Sequence, residues 1–88
     1  MLNYLGYATR NAGDIEGGLA YYRAAIALDP NYTLARSYMG QALLLKGDRR
    51  GAQVQLSEIE SRVGVEAREY KLLAVAMLKK SLKGNATY

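Results

Sequence analysis

The chain repeats itself once, at a distance of 34 residues. Residues 4–14 read YLGYATRNAGD and residues 38–48 read YMGQALLLKGD. Tyr4, Gly6, Ala8, Gly13 and Asp14 return as Tyr38, Gly40, Ala42, Gly47 and Asp48, and Leu5 returns as Met39. A period of this length marks a repeat of two short helices, which buries its apolar face only by stacking on the next copy. Such stacks present a continuous surface, so a groove rather than a catalytic cleft is the first place to seek function.

Five helices fit the chain, and no strand pattern competes with them. The first covers about residues 1–12, with Tyr4 and Ala8 and with Leu2 and Leu5 at helical spacing. Gly13 ends it and Asp14 caps the second, which runs from about Ile15 to Leu28 with Ile15, Leu19, Tyr22, Ala25 and Ile26 inward. Pro30 stops it, because proline disfavours helix at the residue before it. The third runs from about Tyr32 to Lys46, with Leu34, Ala35, Tyr38, Met39, Ala42 and Leu45 in phase. After the second Gly-Asp turn, a fourth spans about Arg49 to Val63 with Ala52, Leu56, Ile59 and Val63 inward, and a fifth spans about Val65 to Leu82. Connections of a few residues make neighbouring helices antiparallel. Gly6 and Gly40 stand mid-helix, where glycine is unfavourable, so they are expected where the following helix approaches closely. Tyr22 and Leu56 are expected to fill the space between helices.

These features together resemble the tetratricopeptide repeat, which pairs helices A and B in 34 residues. The first copy carries Leu5-Gly6, Gly13, Tyr22, Ala25 and Pro30 of its pattern, and the second carries Met39-Gly40, Gly47, Ala52, Leu56, Ile59 and Gly64. Tyr70, Leu73, Ala74 and Met77 begin a third copy that has no helix B. Thr9, Gly18 and Ile59 depart from the pattern. The resemblance implies an all-α, right-handed superhelical α-solenoid of antiparallel helix pairs. It gives one domain over residues 1–84: repeat one at about 1–32, repeat two at about 33–64, a capping or half-repeat helix at about 65–83, and a frayed tail at 85–88. It also implies that the A helices line a concave face. Peptide-binding positions are then Asn3, Tyr7, Arg10 and Asn11 on the first, Ser37, Tyr38 and Gln41 on the second, and Arg68 and Lys71 on the third. Tyr4, Leu34, Leu44, Leu45, Leu72, Val75 and Lys79 are further groove positions. Tyr4 and Tyr38 face either the groove or the space between helices. Family members that clamp a chaperone's C-terminal carboxylate do so at positions that correspond here to Asn3, Tyr7, Tyr38, Arg68 and Leu72. Only Arg68 keeps the expected charge, so no such clamp is expected.

The fifth helix is apolar on every side between Leu72 and Leu78, where it reads LLAVAML. Tyr70, Leu73, Ala74 and Met77 can pack on the preceding repeat, which leaves Leu72, Val75, Leu78 and Leu82 on another side. A second copy of the chain, a missing helix B or inclusion in the groove could each account for them. Self-association through Leu72, Val75, Leu78 and Leu82, giving a homodimer or higher oligomer, is the leading expectation, since exposed apolar stripes mark interaction sites. Met1 begins inside a helix without an N-cap and the chain ends half a repeat short, as expected of a fragment of a longer repeat protein.

Composition narrows the chemistry. The 88 residues include no histidine and no cysteine, which removes the commonest general base, nucleophile pair and transition-metal ligands. No metal site, cofactor or catalytic residue is expected. Ser37, Ser57, Ser61 and Ser81 have no base to activate them. Glu58 and Glu60 face different ways on a helix, and Gly17-Gly18 lacks the lysine of a phosphate loop. Two glycosylation patterns, at Asn31 and Asn85, are short enough to arise by chance. No apolar run approaches membrane-span length and no signal peptide precedes the first helix, so a soluble chain is expected. The net charge of +4 falls entirely in residues 61–88. Lys79, Lys80 and Lys83 are expected to complement the end of the last helix. Their cluster lacks the interleaved aromatics that stack on bases, so nucleic acid is not an expected partner. The expected function is a non-catalytic module that holds a peptide or helix of a partner protein in its concave face. The alternative is a homo-oligomeric assembly unit with no separate ligand.

Overall fold

The computed structural model describes residues 2–85, with the side chains of Asn3 and of residues 82–85 excepted. The chain is all-α, with α1 at Leu2–Asn11, α2 at Ile15–Leu28, α3 at Thr33–Lys46, α4 at Arg49–Val63 and α5 at Arg68–Asn85. Of the tail expected at 85–88, Asn85 is instead the last residue of α5, and residues 86–88 lie outside the described residues. The described residues contain no strand.

The echo in sequence is an echo in backbone geometry. Gly13 and Gly47 both take positive φ, 101° and 92°, a region closed to most side chains by their Cβ. That conformation lets the next amide turn back: Asp14 N–H donates to the Thr9 carbonyl at 3.1 Å and Asp48 N–H to the Leu43 carbonyl at 2.8 Å. Each aspartate then caps the following helix, accepting from Gly17 N–H and from Gly51 N–H at 2.8 Å in both cases. Two of the amides that a helix start leaves unpaired are satisfied in this way.

Helix α3 is the centre of the molecule and packs against all four others. Helices α1, α3 and α5 lie in sequence, α1 against α3 and α3 against α5. Helix α2 packs on α1 and α3, and α4 packs on α3 and α5. The result is two layers, in keeping with a shortest dimension of 18 Å and interaxial spacings of about 8–10 Å. The core joins Leu19 and Tyr22 of α2, Ala42, Leu43 and Leu44 of α3, Ala52, Leu56 and Ile59 of α4, and Leu73 and Met77 of α5.

Several details differ from the sequence expectation. Helix α5 starts at Arg68 rather than Val65, because Gly64 closes α4 at φ 84° and ψ 172° and sends the chain through a short turn. Leu45 and Val63 are exposed, at 60% and 46%. Leu43 and Leu44 take the buried places on α3, and Val63 is the last residue of its helix. The two mid-helix glycines also divide. A Cβ on Gly6 would meet the Tyr22 ring at 2.7 and 2.9 Å and the Gly18 carbonyl at 3.0 Å, so α2 does approach closely there. At Gly40 the close neighbour is Leu73 of α5, at 2.5 and 2.7 Å from such a Cβ. The following helix, α4, supplies none of the nearest atoms.

Polar contacts fasten the layers. Arg36 is buried at 8% exposure. Its Nε donates to the Pro30 carbonyl at 3.0 Å and its Nη1 to Gln55 Oε1 at 3.1 Å, which ties the α2–α3 turn to α4. Burial pushes its pKa down, with Arg62 adding to the effect. Thr33 Oγ1 donates to Glu69 at 2.6 Å, joining the starts of α3 and α5.

Candidate functional site

Two adjoining depressions form one groove over the α1, α3 and α5 layer. The larger, about 510 Å³, is lined by Gln41 of α3, by Glu66 of the turn before α5, and by Arg68, Lys71, Leu72, Val75, Ala76 and Lys79. The smaller, about 310 Å³, is lined by Arg10 of α1, by Gln41, Leu44 and Leu45 of α3, and by Ala76 and Lys80 of α5. Gln41 and Ala76 belong to both, so they mark the waist of the groove.

The elements explain why these side chains meet. Arg68 lies three and four residues before Lys71 and Leu72, which lie four and three before Val75, itself four before Lys79, and residues so spaced share a helix face. Gly40 lets Leu73 sink against α3, which draws the neighbouring Leu72 and Ala76 to the groove floor. Lys80 Nζ donates to the Leu44 carbonyl at 2.6 Å, a carbonyl in the last turn of α3 that also accepts from Gly47 N–H at 3.1 Å. The expectation that Lys79 and Lys80 serve the end of their own helix is therefore corrected. Helix α5 continues to Asn85, Lys80 adds a second donor at the end of α3, and Lys79 lines the groove.

Of the expected peptide-binding positions, Gln41, Arg68 and Lys71 line the larger depression and Arg10 and Gln41 the smaller. Tyr7 and Tyr38 stand beside the Arg10 end. Their ring centroids are 5.3 Å apart and tilted by 34°, and the Arg10 guanidinium lies over the Tyr7 ring at 5.2 Å. Tyr38 also packs on Tyr22, at 6.3 Å. Tyr38 is thus half-buried between helices and lines neither depression, whereas Tyr4 is 64% exposed. Burial raises the Tyr22 pKa, and the Arg10 charge acts against that shift.

Ser37 is not a groove residue. It is fully buried at 0% exposure, and its hydroxyl accepts from Gln41 Nε2 at 3.4 Å. It is a neighbour of a groove residue and cannot touch a ligand. Asn11 is exposed at the last position of α1 and lines neither depression. Of the residues expected to mediate self-association, Leu72 and Val75 line the groove, where they were also expected. Leu78 is 59% exposed outside it. The side chains of Asn3 and Leu82 lie outside the described residues.

The electrostatics are one-sided. Arg10, Arg68, Lys71, Lys79 and Lys80 line the groove with Glu66 as its one carboxylate. Glu66 pairs with Lys71 at 3.3 Å, both side chains being largely exposed at 89% and 59%. Exposed pairs of this kind are weak. Among the described residues, no group of three His, Cys, Asp or Glu side chains could hold a metal ion, and no helix is long and apolar enough to cross a membrane. No protein-family model, curated protein or solved structure matches the chain.

Proposed function

We propose that this chain is a non-catalytic protein-interaction module of the tetratricopeptide-repeat kind. Its two helix pairs and last helix form a short right-handed α-solenoid, and its groove holds a peptide or helix of a partner protein. The observation that carries this reading is the groove itself. It gathers Arg10, Gln41, Val75 and Lys71 from three helices onto one open surface with an apolar floor and a polar rim. Peptide-binding surfaces have this anatomy. The lack of any histidine or cysteine in the sequence also favours binding over catalysis.

The test is affinity capture of partners from a lysate by the wild-type chain and by Val75→Glu, with Tyr21→Ala on the far layer as a control. Val75 is 48% exposed, so the substitution is expected to leave the melting temperature within a few degrees while removing the retained proteins. Retention of the same proteins by Val75→Glu would count against the groove as the binding face.

A second reading is a homo-oligomeric assembly unit. Exposure of Leu78 on α5, outside the groove, favours it. Sedimentation of Leu78→Glu against wild type separates the two readings, since only an assembly unit would lose mass.

A further inference from the structure

The charges around the groove say more about its occupant than its shape does. Five cationic side chains line it against a single carboxylate, and that carboxylate is held only by an exposed pair with Lys71. Arg68 and Lys79 have no ion-pair partner among the described residues. From Arg68 to Lys79 the helix advances about 16 Å at 1.5 Å per residue. Between these ends lie Leu72 and Val75, the apolar floor. We infer that the groove takes an acidic segment of another protein, one whose side-chain carboxylates flank aliphatic residues over roughly that length. Glu66 on Lys71 shows the geometry in miniature: a carboxylate of the chain already sits on a groove cation.

The same charges argue against a second copy as the occupant. A two-fold dimer closed through Leu72 and Val75 would bring two cationic rims together, and like charges set opposite one another oppose association. The two occupants therefore respond to salt with opposite sign. Screening weakens the contact with an acidic segment and relieves the repulsion between two grooves.

The inference rests on the reading of the groove as a peptide site, and the test keeps the two apart. The probe is a fluorescent peptide of about twelve residues, acetylated and amidated, with glutamates flanking two leucines. Its control replaces every glutamate with glutamine. Binding is measured by anisotropy at 50 and 500 mM salt, and the contact face is mapped by amide chemical shifts of the full chain. The glutamate peptide is expected to shift Gln41, Leu72 and Val75 and to weaken several-fold at high salt. The triple variant Arg68→Ala/Lys71→Ala/Lys79→Ala, altered only at exposed side chains, is expected to weaken binding about tenfold, the sum of three surface ion pairs. Glu66→Gln frees Lys71 and is expected to tighten it by about twofold. Equal binding of the glutamine peptide at these residues would overturn the acidic ligand while leaving the peptide groove standing. Failure of both peptides to shift the groove, with a dimer that strengthens in salt, would overturn both. Binding that requires a free C-terminal carboxylate would overturn the inference in favour of a terminal clamp.

Discussion

Helices α1 and α5 are the first and last members of the same layer, and they treat the same repeat position in opposite ways. Leu5, Met39 and Leu73 succeed one another at the 34-residue period. Leu5 is 44% exposed, Met39 is half-buried, and Leu73 is fully buried against Gly40. At this position α5 sets Leu73 against α3, the helix before it in the layer. Among the described residues α1 has no helix before it. On α5, Val75 and Leu78 stay open at 48% and 59%, Val75 in the groove and Leu78 outside it. The difference teaches that the period fixes what a residue faces, and that the neighbour decides whether it is buried.

The sharpest way to break the comparison is to truncate both ends of it. Leu73→Ala removes a fully buried side chain from the contact between α3 and α5 and is expected to cost about 3 kcal/mol. Leu5→Ala is expected to cost about 1 kcal/mol or less, because much of that side chain is already in water. Urea denaturation of the two variants measures both. Equal losses would mean that α5 is not packed as described. A loss of this size is a large fraction of the stability of so small a domain.

The two mid-helix glycines give the next largest effect. Alanine in place of glycine favours a helix by about 1 kcal/mol. At Gly6 the added methyl meets a buried aromatic ring and a backbone carbonyl, neither of which can turn aside. Gly6→Ala is therefore expected to destabilise by about 2 kcal/mol net. At Gly40 the three nearest atoms all belong to the Leu73 side chain, which can change rotamer at some cost in packing. Gly40→Ala is expected to be the milder of the two, within about 1 kcal/mol of wild type. If Gly40→Ala proves the worse, the packing of Leu73 is more rigid than that of Tyr22, and the comparison reverses.

The scaffold was legible from sequence for a physical reason. Gly13, Gly47, Asp14 and Asp48 act through local geometry, a positive φ and a bond to an amide three residues on, and local geometry leaves its mark in local residue types. Arg10, Gln41, Arg68 and Lys71 stand out through the 34-residue period, and they line the two depressions. Ser37 was misplaced because helical spacing puts it beside Gln41 without showing that a neighbouring layer covers it. Leu73 against Gly40, Lys80 on the Leu44 carbonyl and Arg36 on the Pro30 carbonyl were not legible. The first two join residues of two different helices and the third reaches back to a turn, and neither spacing nor composition shows where a long side chain will reach.

The smallest expected effect concerns the contact that fastens α5 at its start. Thr33 is 6% exposed, and its hydroxyl donates to Glu69. That bond, first among the causes, holds the Glu69 carboxyl below its ordinary value of 4.5. A carboxyl whose pKa is lower in the folded state than in the unfolded one stabilises the fold fully above its unfolded pKa and loses that contribution as pH falls through the folded value. Thr33→Val keeps the side-chain shape and removes the donor. It is expected to cost about 1 kcal/mol at neutral pH, within the range for hydrogen bonds to charged groups discounted for partial exposure. The gap between wild type and variant should close as pH drops below the ordinary carboxyl range, since protonated Glu69 no longer gains from the bond as an anion. Thermal melts from pH 7 to pH 3 check this, and Glu69→Gln should show a flatter acid limb than wild type. A gap between wild type and Thr33→Val that stays constant with pH would show that the threonine contributes packing alone, and that α5 is held at its start by Leu73 rather than by charge.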